Sequence, residues 1–78
     1  MAHQNRGRLA VRLDADWTAY TDSLPQGSVA LGTVTQGNET GALVYVEALE
    51  TYLMIQPERI HKLTTHKVKA AIKAASDL

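Results

Sequence analysis

The segment that most constrains the fold is residues 37–41, Gly-Asn-Glu-Thr-Gly, which lie between two runs rich in apolar and β-branched residues. Glycine and asparagine tolerate positive φ, so this segment lets the chain reverse direction within a few residues. The runs on either side span 29–35 and 42–46. They predict two antiparallel strands joined by the turn, and Gly32 predicts a bulge in the first strand.

A second hairpin is predicted immediately downstream. Residues 42–46 and 51–55 form strand-like runs that flank the segment Glu-Ala-Leu-Glu at 47–50. This spacing is typical of two strands joined by a short loop, and it makes Tyr45 and Tyr52 cross-strand neighbours. The three runs together predict a three-strand antiparallel meander.

The segment after the meander has two interpretations. Pro57 lacks a backbone donor, so we expect the third strand to end there. Ile60 and Leu63 are apolar anchors in the basic segment that follows. This segment is either a connector or one short edge strand.

The N-terminal part of the chain predicts a strand and then a short helix. Apolar residues occupy alternate positions in 8–13, which is typical of a half-buried strand. Asp14 can cap a helix over 15–24, and Pro25 ends that helix. Its apolar positions recur at helical spacing and are Trp17, Tyr20 and Leu24.

A final helix is predicted near the C-terminus. Thr64 or Thr65 can cap it. Its apolar stripe at i, i+3, i+4 and i+7 comprises Val68, Ala71, Ile72 and Ala75. We expect this stripe to dock the helix on the meander, with a seam between helices of a dimer as the alternative.

These elements predict one α+β domain over residues 1–78: an N-terminal strand and short helix, a three-strand antiparallel meander, and a C-terminal helix packed on the sheet. Residues 1–6 are expected to be flexible. A chain of 78 residues without cysteine has neither disulfides nor a cysteine zinc site to stabilise a small core. Self-association is the remaining common route, so we expect a homodimer.

Charge is distributed unevenly although the formal net charge is zero. The eight basic residues lie near the two ends of the sequence: Arg6, Arg8, Arg12, Arg59, Lys62, Lys67, Lys69 and Lys73. Residues 13–58 carry seven acidic residues and no lysine or arginine. Such a layout suits either a basic face for nucleic acid or the pairing of surfaces of opposite charge.

Catalytic, cofactor and metal motifs are not found in the sequence. The histidines, His3, His61 and His66, do not have the i, i+4 spacing of a helical metal pair, and the glycines match no phosphate-binding loop. We therefore expect no enzyme activity, no cofactor and no metal. No signal peptide or membrane-spanning run is found, so we expect a cytoplasmic protein without membrane association.

The run Arg8-Leu-Ala-Val-Arg12, followed by Asp14 and a short helix, resembles the start of ribbon-helix-helix repressors. In that family two such strands pair across a dimer and place alternate side chains in the major groove. The resemblance implies DNA contacts by Arg8 and Arg12 and a phosphate contact by Arg6. It covers about the first 24 residues, and the segment that follows is predicted to be sheet where the family has a second helix.

A second resemblance covers about residues 37–72. The run Gly-Asn-Glu-Thr-Gly-Ala-Leu-Val from Gly37, with Tyr52 and the run Lys-Val-Lys-Ala-Ala-Ile from Lys67, is similar to small reading frames of bacterial phages, plasmids and integrative elements. That resemblance implies an accessory role: gene regulation, inhibition of a host defence complex, or neutralisation of a toxin.

Two functional hypotheses follow. The first is a non-enzymatic protein-binding factor, such as an inhibitor of a host defence complex of the anti-CRISPR type, that uses an acidic sheet surface bearing Glu39, Glu47 and Glu50. The alternative is a small DNA- or RNA-binding regulator. Its contacts would come from Arg6, Arg8, Arg12, Lys62, Lys67, Lys69 and Lys73.

Overall fold

The computed structural model describes residues 8–77, which form a five-stranded antiparallel sheet with one α-helix packed on it. The strands lie side by side in chain order: β1 (Leu9–Arg12), β2 (Ser28–Gln36), β3 (Glu39–Val46), β4 (Thr51–Gln56) and β5 (Arg59–Lys62). A 3₁₀ helix (Thr18–Ser23) follows β1, a shorter one (Glu47–Leu49) joins β3 to β4, and α1 (Thr65–Ser76) ends the fold. Residues 1–6, including Arg6 and His3, lie outside the described residues.

The α+β prediction is confirmed, but the sheet has five strands rather than three. The N-terminal strand does not stand apart, because β1 pairs with β2 from Leu9 opposite Gln36 to Arg12 opposite Thr33. The basic segment after Pro57 is the edge strand β5 and not a connector. Each added strand has four residues and forms one edge of the sheet.

The β2–β3 hairpin forms where the sequence predicts it, with a tighter turn. Gln36 pairs with Glu39, and Gly37 adopts a φ of 65°, so the turn itself comprises two residues and β3 already begins at Glu39. The predicted bulge is present, since the register shifts between Ala30 and Gly32. At Gly32 a side chain would collide with the backbone of Arg12, so the bulge allows the end of β1 to lie close to β2.

One face of the sheet, called here the helix face, packs against α1. Its buried residues form a single cluster with the helix: Val11, Val34, Leu43, Met54, Leu63 and Val68. Ala71, Ile72 and Ala75 of the predicted stripe pack against the same cluster, which confirms that the stripe docks α1 on the sheet. Thr64 is the N-cap residue, although its side chain makes no capping hydrogen bond.

The other face of the sheet, called here the opposite face, is covered by the segment between β1 and β2. Its buried residues are Ala42, Val44, Val46, Leu53 and Ile55, and Trp17, Tyr20, Leu24 and Ala30 pack against them. Strands β3 and β4 are therefore buried on both faces, and strands in that position have continuous apolar runs rather than an alternating pattern.

The predicted helix over 15–24 is instead a short 3₁₀ helix, Thr18–Ser23. The three-residue spacing from Trp17 to Tyr20 matches the 3₁₀ period and turns both rings toward the sheet. Asp16, rather than Asp14, stabilises its start, because the backbone N–H and hydroxyl of Thr18 both donate to Asp16 Oδ1, at 2.9 and 2.6 Å. These two hydrogen bonds hold the pKa of the Asp16 carboxyl below its ordinary value of 3.8, and the bond from the hydroxyl has the larger effect.

The fold differs from a ribbon-helix-helix arrangement. Strand β1 is hydrogen-bonded to β2 of its own chain, and the segment after the first 3₁₀ helix forms β2 where that family has a second helix. Among residues 8–77, no helix has both the length and the apolar character required to cross a membrane.

Candidate functional site

The two ends of the sheet carry different chemistry. The β2–β3 turn at Gly37 and the β4–β5 turn at Pro57 lie at one end, called here the Gly37 end. The β3–β4 connection, with Leu49 at its centre, lies at the other, called here the Leu49 end. The register fixes the face on which each strand residue lies and its distance from either end.

The predicted acidic surface is divided between these ends. Glu39 begins β3 at the Gly37 end, whereas Glu47 and Glu50 flank the Leu49 end. Strand β3 spans eight residues, so Glu39 lies about 25 Å from the other two. Glu47 and Glu50 are brought together by a turn in which the Glu50 N–H donates to the Glu47 carbonyl at 3.0 Å.

Two tyrosines lie beside this acidic turn on the helix face. Tyr45 pairs with Tyr52 in the register of β3 and β4, as the sequence predicts, and their ring centroids are 4.8 Å apart at a tilt of 53°. Val29 of β2 pairs with Tyr45 and is 59% exposed. Val29, Tyr45 and Tyr52 therefore form a continuous row across three strands, called here the tyrosine patch.

The acidic turn borders the tyrosine patch. Glu47 follows Tyr45 by two residues, Glu50 precedes Tyr52 by two, and both carboxylates are on exposed residues. Leu49, between them, is 67% exposed. The Leu49 end thus combines aromatic, aliphatic and acidic side chains. Sequence reasoning identified both glutamates but missed Val29 and Leu49, because Val29 lies in a predicted strand and Leu49 in a predicted loop, and neither pattern indicates exposure.

Glu39 belongs to a different constellation at the Gly37 end. Its Oε1 is buried, forms no hydrogen bond with another described residue, and lies 3.4 Å from His61 Nε2. The same His61 nitrogen donates to Gln56 Oε1 at 2.8 Å, and Gln56 Nε2 donates to the carbonyl of Thr40 at 3.1 Å. These bonds orient His61 and join β3, β4 and β5, so the arrangement acts in sheet cohesion.

The predicted nucleic-acid-binding residues that lie within 8–77 do not share one surface. Arg8 and Arg12 belong to the β1 edge and, by strand alternation from buried Val11, project to the opposite face. Lys62 lies on β5 at the other edge of the sheet. The exposed lysines of α1, on the helix face, are Lys67, Lys69 and Lys73.

Open grooves are present, but the described residues form no cluster suited to a metal. One groove of about 470 Å³ lies between the first 3₁₀ helix and the β4–β5 turn and is lined by residues that include Asp22, Glu58 and Ile60. Residues 8–77 contain no group of three histidine or acidic side chains positioned to hold a metal ion. Comparison of the chain with family models, curated proteins and solved structures returns no match.

Proposed function

We propose that this protein is a non-enzymatic binding factor that docks on a basic surface of a protein partner through the Leu49 end of its sheet. The observation that carries the proposal is the tyrosine patch and its acidic border. Val29 is 59% and Leu49 67% exposed, although the protein is small and these positions adjoin a packed sheet. Tyr45 and Tyr52 are half-buried beside them. Exposed aliphatic residues next to aromatic rings and charged groups are typical of protein interfaces.

The chemistry of the surface favours a basic partner. Glu47 and Glu50 attract lysine and arginine at the rim of an interface, and they speed association with such a partner. Tyr45 and Tyr52 supply rigid contact area, and their faces accept guanidinium groups. The same two carboxylates repel phosphates, so this end of the sheet does not suit nucleic acid.

A nucleic-acid-binding cleft is the basic surface that fits best. Such a cleft combines arginine and lysine, which bind phosphates, with side chains that stack on bases. The two carboxylates can bind the arginines and lysines in place of phosphates. The two aromatic rings can contact the stacking side chains in place of bases. Binding there would inhibit the partner by covering its site, as expected of an inhibitor of a host defence complex.

Nucleic-acid binding by the β1 edge is the second candidate. The observation that favours it is that Arg8 and Arg12 share the opposite face with Thr33 and Thr35 of β2, so two cations and two hydroxyls line one strip of sheet. The dispersed lysines would not add to this strip. A duplex that binds at low salt, and binds less tightly to Arg8→Glu and Arg12→Glu, would favour this candidate.

The test of the protein-binding proposal is capture from a bacterial lysate by matched variants. Immobilised wild-type protein is compared with Glu47→Lys/Glu50→Lys and with a control, Asp14→Lys/Asp22→Lys, that makes the same charge change in the segment between β1 and β2. We expect a stoichiometric protein that is retained by the wild type and the control and lost with the Glu47/Glu50 variant. Equal retention by all three, or no stoichiometric protein, would overturn the proposal.

A further inference from the structure

Within residues 8–77, the outer edge of β5 has no pairing partner for its backbone groups. No described strand lies beyond β5 in the sheet. Gln56 pairs with Arg59 across the two-residue turn, and the Leu63 N–H donates to the Tyr52 carbonyl at 3.0 Å, so residues 59, 61 and 63 direct their backbone groups toward β4. Ile60 and Lys62 therefore direct theirs outward.

One apolar side chain lies among the charged residues of this edge. Strand β5 is short and carries Arg59 and Lys62, features that usually protect an edge from pairing, but Ile60 between them is 56% exposed. Glu58 lies two residues before Ile60 and Lys62 lies two residues after it. Charges of opposite sign thus flank an apolar residue symmetrically.

We propose that β5 pairs antiparallel with β5 of a second copy of this chain, with Ile60 of each copy opposite Ile60 of the other. The N–H and C=O groups of each Ile60 then bond to those of the other. This pairing is allowed because alternate residues of an antiparallel strand direct their backbone groups to the same side. This register places Lys62 of each copy beside the β4–β5 turn of the other, where Glu58 immediately precedes β5. Opposite charges at neighbouring positions of a strand pair attract each other, and the two-fold axis makes this contact occur twice.

Neighbouring registers lack this complementarity. Because only alternate residues direct their backbone groups outward, one β5 can move along the other only in steps of two residues. One shift pairs Arg59 with its own copy, and the other places Ile60 opposite Lys62 and moves Lys62 away from Glu58. The groove beside Ile60 favours the central register as well, because Asp22 and Glu58 line it and Lys62 of the second copy would enter there.

The β1 edge does not offer the same interaction. Full overlap of residues 8–12 with their copies places Arg8 opposite Arg12 twice, and like charges at facing positions are destabilising. The proposal therefore assigns the self-association expected of so short a chain to β5, and it leaves the Leu49 end free.

The test is the mass of the protein in solution across a dilution series, by light scattering or sedimentation, at low salt. We expect a dimer whose fraction rises with concentration, because an edge of four residues gives a small interface. Lys62→Glu and Glu58→Lys should each weaken dimerisation by about tenfold, since each replaces two attractive contacts with two repulsive ones. The double variant Lys62→Glu/Glu58→Lys should return to within about threefold of the wild type.

Three controls separate this interface from other causes. Lys73→Glu makes the same charge change as Lys62→Glu on exposed α1 and should leave the dimer intact. Ile60→Asp places two carboxylates on the two-fold axis and should give a monomer. Its melting temperature should equal that of the wild type at concentrations where both are monomeric. A wild type that remains monomeric up to about 1 mM, or a double variant no tighter than the single variants, would overturn the proposal.

Discussion

Tyr45 and Tyr52 face each other across β3 and β4 with ring centroids 4.8 Å apart and planes tilted by 53°. Cross-strand aromatic pairs contribute about 0.5–1 kcal/mol beyond the area they bury. We therefore expect Tyr45→Leu and Tyr52→Leu to show a coupling of that size in a double-mutant cycle, measured by urea unfolding. Additive effects of the two substitutions would show that the rings do not stabilise each other.

The pairing of these tyrosines was accessible from sequence because it depends on local information. Two apolar runs around the short segment 47–50 fix the register, and the register fixes which residues face each other. The turn at Gly37 and the bulge at Gly32 were predicted for the same reason, since each needs a residue that tolerates an unusual backbone conformation.

The features that sequence reasoning missed depend on long-range contacts. The pairing of β1 with β2 joins segments more than 20 residues apart, and no local pattern marks it. The exposure of Val29 and Ile60 depends on where α1 and the first 3₁₀ helix end on the two faces. The division of the acidic residues between two ends of the sheet likewise requires the length and direction of β3.

Gly41 tests the close packing of β3 against β4. It lies within β3 rather than in the turn, and a Cβ there would approach the Ile55 carbonyl oxygen at 2.5 Å and Met54 Cγ at 2.8 Å. We expect Gly41→Ala to lower the free energy of unfolding by about 1–3 kcal/mol, as for overpacked cores. Gly37→Asn is the matched control, because a side chain there meets no atom within 4 Å and asparagine tolerates the φ of 65°. Equal costs at the two sites would contradict the packing described.

The two apolar layers should contribute comparably to stability. Leu43 on the helix face and Ile55 on the opposite face are both fully buried. Truncation of either to alanine should cost about 2–5 kcal/mol, a large part of the stability of a domain this small. Ile60→Ala should change it by less than about 0.5 kcal/mol at concentrations where the protein is monomeric. A small effect of Ile55→Ala would indicate that the first 3₁₀ helix does not cover its face.

Asp16 gives the protein a defined dependence on pH. Because its folded pKa is below the ordinary value of 3.8, the ionised carboxyl stabilises the fold above that value, and this contribution is lost as the pH falls through the folded pKa. We expect a carbon-13 titration of Asp16 to give a pKa below 3.8, and Thr18→Val to move it back toward 3.8. An unchanged pKa in Thr18→Val would show that the hydroxyl does not hold the carboxyl.

Displacement of nucleic acid from the captured partner shows whether the Leu49 end covers a nucleic-acid-binding cleft. Labelled nucleic acid bound to that partner is titrated with the wild type, with Glu47→Lys/Glu50→Lys, and with Asp14→Lys/Asp22→Lys. We expect displacement by the wild type and by Asp14→Lys/Asp22→Lys, and at least about tenfold weaker displacement by Glu47→Lys/Glu50→Lys. Displacement by all three with equal strength, or a ternary complex in which nucleic acid stays bound, would contradict the proposal.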